Sequence, residues 1–217
     1  MGGAFSQLVM LGSSGMLVTA LIVLWRKGVP AYITAYRWQS WLLAALTATV
    51  GYYGDGQLYW VAGLLLGLKG VAIPALLRTM QRRFGTEREA APYVNTEVSL
   101  LIASVLVVFA YLLGRPWMAV TQLPTRQGLP LAMSVLFVSL FIIVSRKKAI
   151  TQVIGFLMLE NAIALLAVVG TFGVPFLVEF GVFLDALMGF LVMQIFIYHI
   201  HDTFDTLDVD ALARLRH

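Results

Sequence analysis

Long apolar runs, separated by short polar stretches, cover most of the chain. Each of seven runs is about 17–25 residues long, and a helix of about 20 apolar residues crosses the roughly 30 Å hydrocarbon core of a bilayer. Lipid offers no partner for open backbone groups, so such runs form helices, and strand alternation is absent. The pattern predicts an all-α, polytopic membrane protein with about seven transmembrane helices. The runs lie near residues 5–25, 37–53, 57–77, 97–114, 129–145, 151–171 and 175–199.

The composition supports this reading and narrows the chemistry. Of the 217 residues, 60% are hydrophobic and 12% are charged, whereas a soluble domain carries about 25% charged residues. The chain has no cysteine, which excludes disulfides, iron–sulfur clusters and thiolate zinc sites. We therefore expect no metal and no cofactor in this chain. The net charge of +4 does not indicate nucleic-acid binding, because membrane proteins gather basic residues in their cytoplasmic loops.

The basic residues also predict an orientation. In a seven-span arrangement 12 of them fall on one side of the membrane and two, Arg115 and Arg126, on the other. Because basic loops stay in the cytoplasm, we expect the N-terminus outside the cell and the C-terminus in the cytoplasm. The 12 residues are Arg26, Lys27, Arg37, Arg78, Arg82, Arg83, Arg88, Arg146, Lys147, Lys148, Arg214 and Arg216.

The most polar stretch of the chain divides it into unequal parts. We expect it to be a cytoplasmic linker, with three spans before it and four after. The expected segments are 1–80, a three-helix membrane segment; 81–95, the linker; 96–128, the fourth helix with an outer interfacial loop; and 129–217, three helices with a cytoplasmic tail.

The third run carries features of close helix packing. Gly63, Gly67 and Gly70 recur at near-helical spacing, and small residues let membrane helices approach closely. Pro74 follows in the same run. It lacks an N–H, so it frees a backbone carbonyl and is expected to kink the helix.

Three charged residues fall near the middle of predicted spans: Lys69, Glu160 and Asp185. A lone charge there costs about 2.5–3.5 kcal/mol on insertion scales. Glu160 and Asp185 lie about 14 and 15 Å from the ends of consecutive antiparallel helices, so their depths match. Burial disfavours the charged form of a carboxyl group and a nearby lysine favours it, a balance that suits reversible proton transfer. Glu179 lies nearer the surface and is a weaker candidate for the same role.

A structural explanation stands beside this one. The two carboxylates would then only bond neighbouring helices or pair with Lys69. The pattern leaves both explanations open.

The last third of the chain resembles the K subunit of bacterial complex I, which is subunit 4L of the mitochondrial enzyme. Residues 144–155 read VSRKKAITQVIG and residues 156–162 read FLMLENA, matching that family's basic loop, Ile-Gly pair and Glu-bearing helix that ends in Asn-Ala. Residues 185–189, DALMG, match the acid-Ala-x-x-Gly setting of its second buried carboxylate. The resemblance covers about residues 130–217. The chain departs from that family at both carboxylate positions. The first position is Leu157 here, and Glu160 lies three residues later, about one turn or 4.5 Å along the helix. At the second position, Asp185 stands where the family has glutamate.

The whole chain is similar to hydrogenase-4 component E, which is a relative of the K subunit that is longer because it has extra N-terminal helices. Lys69 in a glycine-rich span, the FLMLEN run at 156–161, LVEFG at 177–181 and TLDV at 206–209 carry that likeness. It implies a membrane subunit of a group 4 membrane-bound [NiFe] hydrogenase or a formate hydrogenlyase. Antiporter-like subunits and the membrane anchor of a redox arm would be its partners. Within the matched motifs, we expect Gly155, Asn161 and Gly189 to serve helix packing beside the carboxylates.

Three other readings differ in what they require. A subunit of a multi-subunit cation/proton antiporter would share the architecture and differ in its ion. A purely structural scaffold would tolerate neutral replacements of Glu160 and Asp185. A retinal photoreceptor needs a Schiff-base lysine in the last span, and residues 175–199 contain no lysine.

Overall fold

A computed structural model describes residues 3–54, 56–84, 93–120 and 122–173. These ranges fold almost entirely into α-helices, with one π-helical segment and one 3₁₀ turn. In chain order the elements are α1 Gly3–Trp25, α2 Val29–Tyr53, α3 Leu58–Gly67, the π segment Leu68–Ala72, α4 Ile73–Phe84, α5 Thr96–Val120, the 3₁₀ turn Arg126–Gly128, α6 Leu129–Ser145 and α7 Ala149–Thr171.

Five helices in the described ranges are long and apolar enough to cross a membrane. The all-helical, multi-pass class is therefore confirmed. α2 is as long as these five helices, but its sequence is more polar, so it is not counted among them. The seventh predicted run, 175–199, lies outside the described residues. The five spans are Gly3–Trp25, Leu58–Arg82, Thr96–Val120, Arg126–Ser145 and Ile150–Thr171.

Three helices extend well beyond the runs that hydropathy marks, and one of them, α4, ends at Phe84 rather than near 77. α2 begins at Val29 rather than near 37, with Pro30 in its first turn, where a missing N–H costs nothing. Its first turns bury Tyr32, Ile33 and Tyr36, and this one-sided burial stabilises a helix whose average hydropathy is modest. Arg37 thus lies inside α2 and not in the preceding loop. α5 continues through Pro116 to Val120, beyond the predicted end at 114.

The helix that contains Pro74 changes its hydrogen-bond register one turn earlier. Residues Leu68–Ala72 are π-helical, and the N–H of Ile73 bonds to the carbonyl of Leu68, five residues back. Because Pro74 has no N–H, the carbonyl four residues before it, that of Gly70, lacks its usual intrahelical donor. α3, the π segment and α4 therefore form one long helix with a local distortion.

Among the described residues, one of the three glycines of this helix packs against a neighbouring helix. Gly63 and Gly67 are exposed, and no described residue lies within 4 Å of where a Cβ would stand on either. Gly70 is buried, and a Cβ there would stand 2.6 Å from Cδ1 of Trp41. The π segment contains an extra residue per turn, so the face on which Gly70 lies is offset from that of the preceding glycines.

The helices pack around two apolar clusters, one toward each end of the bundle. α1 packs on α2 and α6, α2 on α3 and α7, and α6 on α5 and α7. Residues from the two ends of each of four helices, α1, α2, α6 and α7, divide between the clusters. One cluster includes Phe5, Leu43, Val50, Val135 and Leu165; the other includes Val23, Ile33, Tyr36, Ile142 and Met158.

Buried polar side chains lie between the two clusters, near the middle of their helices. We call Gln39, Ser40, Lys69, Glu160 and Asn161 the polar cluster; all five are buried. α2 contributes two of them, the π segment one and α7 two.

Candidate functional site

Lys69 and Glu160 face each other inside the bundle. The Nζ of Lys69 lies 3.8 Å from Oε2 of Glu160, and the two side chains are 0% and 9% exposed. Glu160 is halfway along α7, about 16 Å from either end. This places an oppositely charged pair at the depth where lipid solvates charge least. The separation suits an ion pair and is longer than a hydrogen bond.

Asn161, the next residue on α7, ties that helix to α2. Its Nδ2 donates to Oε1 of Gln39 at 3.2 Å and to Oγ of Ser40 at 3.0 Å. Ser40 in turn donates to the carbonyl of Tyr36, and Nε2 of Gln39 donates to the carbonyl of Met16 on α1 at 3.4 Å. The polar cluster thus joins three helices by hydrogen bonds directly beside the charged pair.

Gly155 lies where α7 packs closely against α6. A Cβ on it would stand 2.9 Å from Cγ2 of Ile142 and 3.1 Å from Cγ1 of Ile143. Any larger residue would push α7 away from α6, and Glu160 follows on α7 little more than one turn later.

Arg146, counted above as a basic loop residue, is buried at 2% exposure. Its Nη2 donates to the carbonyls of Val23 at 2.6 Å and Leu24 at 3.3 Å, and its Nη1 donates to the hydroxyl of Tyr32 at 3.1 Å. Those carbonyls belong to the last turn of α1, where a helix has no internal donors for them. Arg146 therefore caps α1 from the end of α6.

Four of the seven site residues named from the sequence fall in the described ranges: Lys69, Gly155, Glu160 and Asn161. The structure brings Lys69, Glu160 and Asn161 together through the polar cluster. Asp185, Glu179 and Gly189 lie outside the described residues, as does the tail after residue 199.

Sequence reasoning missed the polar residues of α2. Gln39 and Ser40 come directly after the start of the run predicted at 37–53, so the sequence placed them near the membrane surface. The earlier start of α2, at Val29, puts them near the middle of the helix, where an amide needs a buried partner. Their partner, Asn161, is more than a hundred residues away in the chain, so only the packed structure identifies it.

Comparison with known proteins gives relatives along the whole chain. An uncharacterized protein of Mycobacterium tuberculosis, Rv0085, is 33% identical over 214 residues, which is 98% of this chain and 97% of the relative. Hydrogenase-4 component E of Escherichia coli K12 is 26% identical over 207 residues, covering 93% of this chain and 94% of the relative. The protein of the same name from Shigella flexneri matches equally well. No family model and no solved structure matches the chain.

Proposed function

Because the chain belongs to the hydrogenase-4 component E family, we propose that it is an integral membrane subunit of a complex-I-like, energy-converting assembly. The assembly would be a group 4 membrane-bound [NiFe] hydrogenase or a formate hydrogenlyase in a bacterial or archaeal cell membrane. Antiporter-like subunits and the anchor of the redox arm would be its partners. A chain without cysteine leaves thiolate-bound redox centres to those other subunits.

Within that assembly, the subunit would move protons through its buried ionisable groups. The observation that carries this proposal is the Lys69–Glu160 pair, 3.8 Å apart between the two apolar clusters. A proton can pass between an ammonium and a carboxylate, so this pair has a charged and a neutral form. A buried group that exchanges protons while redox chemistry proceeds elsewhere is what coupled proton movement requires.

Asp185 would be the second station of the relay, and Glu179 a shallower one. The role of Asp185 rests on its predicted depth, which matches that of Glu160, and on the resemblance to the K subunit of complex I. The role of Glu179 rests on its place in the LVEFG run, which resembles hydrogenase-4 component E. Gly189 would support the helix that carries them. An antiporter subunit would use the same groups for a different ion, so a proton assay alone leaves that alternative standing, and a sodium-flux assay separates the two.

We also propose seven spans, with the N-terminus outside and the C-terminus in the cytoplasm. The uneven distribution of basic residues supports this orientation. Single cysteines introduced between residues 85 and 92 should resist membrane-impermeant thiol reagents in intact cells, because that segment would face the cytoplasm. The native chain has no cysteine that would react with the same reagent. Labelling from outside would reverse the orientation.

Replacing Glu160 by glutamine tests the central proposal. Glutamine keeps the volume and hydrogen bonding of the side chain but cannot take up or release the proton. We expect E160Q to lose most proton uptake into vesicles, at equal content of assembled complex, and Asp185→Asn to behave alike.

Glu97 provides the matched control, since it is an exposed carboxylate in the first turn of α5. E97Q should leave uptake unchanged. Wild-type uptake in both E160Q and D185N would reject the relay and leave the structural scaffold as the function of these carboxylates.

A further inference from the structure

The indole of Trp41 contacts the backbone right beside Lys69. Trp41 lies on α2, and its Nε1 donates a hydrogen bond of 3.1 Å to the carbonyl oxygen of Gly70. Gly70 follows Lys69 in the π segment. A side chain of the neighbouring helix α2 therefore bonds the main chain one residue after the buried Lys69.

This carbonyl is available because of Pro74. In a regular helix the N–H of residue 74 would bond to the carbonyl of residue 70, and proline has no N–H to give. A carbonyl left without a donor inside a membrane costs several kcal/mol. The indole N–H supplies that donor from outside the helix.

Glycine at position 70 is what lets the indole reach the carbonyl. A Cβ there would stand 2.6 Å from Cδ1 and 2.7 Å from Nε1 of Trp41, closer than atoms can approach. The indole is itself held on α2, with the Arg37 guanidinium 5.1 Å above its ring and the Trp38 ring edge-on at 5.1 Å.

We propose that Trp41 is a positioning residue for the buried pair: through the Gly70 carbonyl it fixes the backbone from which Lys69 reaches Glu160. The proposal rests on the proposed function for its effect on proton movement. Its structural half, the placement of Lys69 against Glu160, stands independently of transport.

Small displacements matter at this site. The interaction of two charges in a medium of low dielectric constant is large and varies as the inverse of their separation. A misplacement of about 1 Å between reacting groups reduces rates by up to about a hundredfold. A carbonyl that loses its donor would turn toward another partner. The peptide that contains the Gly70 carbonyl joins Gly70 to Val71, so its rotation would reach Lys69 through the intervening Lys69–Gly70 peptide.

The test is a double-mutant cycle between Trp41 and Pro74. Trp41→Phe keeps an aromatic ring and removes the N–H. Pro74→Ala restores a backbone N–H within the helix, which in the α-helical register of α4 is directed to the same carbonyl. If Trp41 acts through that carbonyl, W41F should be damaging in the native background and nearly silent in the P74A background.

Two quantities are measured on the assembled complex in vesicles: proton uptake, and the infrared signal of the Glu160 carboxyl, identified as the signal that E160Q removes. We expect W41F to lower uptake about tenfold and to shift the frequency of the Glu160 signal. Gly70→Ala, which displaces the indole without touching its N–H, should shift that signal in the same way.

Two residues serve as matched controls. Trp60→Phe changes a tryptophan that is 86% exposed on α3, and Gly67→Ala adds a methyl group where no described residue lies within 4 Å. Both should leave uptake and the infrared signal unchanged.

The outcomes separate the two levels of the proposal. An unchanged Glu160 signal in W41F, or equal damage by W41F with and without P74A, would overturn the positioning role and reduce Trp41 to packing. A shifted signal that P74A suppresses would support it. If both E160Q and D185N transport protons normally, the proposed function fails, and the infrared cycle still decides the positioning of Lys69.

Discussion

Two buried basic side chains of this molecule, Arg146 and Lys69, have different kinds of partner. Arg146 lies at the end of α1, where two main-chain carbonyls and the Tyr32 hydroxyl accept its hydrogen bonds. Lys69 lies midway through the bundle, where the carboxylate of Glu160 on another helix faces it at 3.8 Å. Both side chains are almost completely inaccessible.

The difference separates a fixed charge from an exchangeable one. Arginine stays protonated in proteins, and carbonyl oxygens take up no proton, so the Arg146 contacts have a single state. Lysine and glutamate each gain and lose protons, so their pair has more than one state. The cap at α1 is therefore suited to holding two ends of the fold together, and the mid-bundle pair to responding to a proton.

Replacing Lys69 should have the largest effect on stability. Lys69→Met leaves the Glu160 carboxylate buried without its cation, and breaking a buried pair from one side costs roughly 3–5 kcal/mol. The double variant K69M/E160Q removes both charges and should recover much of that loss. The free energy of unfolding in detergent measures both, and proton uptake should fall in either variant.

The recovery is the informative part of this experiment. A double variant no more stable than K69M would mean that Glu160 does not depend on Lys69 for its burial. The contrast with Arg146 would then weaken, because both cations would act through contacts other than a counter-charge.

The sequence predicts one side of this contrast well. Lys69 and Glu160 stand out because charged residues are rare in apolar runs and costly in hydrocarbon. Their depth follows from counting residues along a helix of known rise. The partner of Lys69 does not follow from the sequence, because Glu160 and Asp185 have similar predicted depths. Among the described residues, the structure places Glu160 opposite Lys69.

Local rules also fail where the helix is irregular. Gly63, Gly67 and Gly70 recur at near-helical spacing, but the π segment intervenes, and in the part of the chain that the structure describes only Gly70 is packed against another helix. Proline signals a free carbonyl, yet nothing in the sequence near Pro74 indicates that Trp41, more than thirty residues earlier, provides the donor.

Arg146 shows the limit of reading charge by position. A basic residue directly after an apolar run indicates a cytoplasmic loop, and the neighbouring Lys147 is indeed exposed. Nothing local distinguishes the two residues. The acceptors of Arg146 lie on α1 and α2, over a hundred residues away, so its burial is a property of the assembled bundle.

Replacing Arg146 should have a smaller effect on stability, and none on proton transfer within each complex. Arg146→Met leaves two carbonyls of α1 and one hydroxyl without their donor, and each unsatisfied buried group costs about 1–3 kcal/mol. Water reaches the ends of helices more easily than their middles, so we expect a total loss of about 2 kcal/mol. Lys147→Gln is the matched control, since that exposed ammonium only lies 4.8 Å above the Tyr93 ring, and it should change stability little.

Proton uptake per assembled complex should remain normal in R146M, because the capped end of α1 holds the fold and does not exchange protons. Uptake that falls as far as in K69M would show that the two buried cations belong to one functional unit, and the division between a fixed and an exchangeable charge would be wrong.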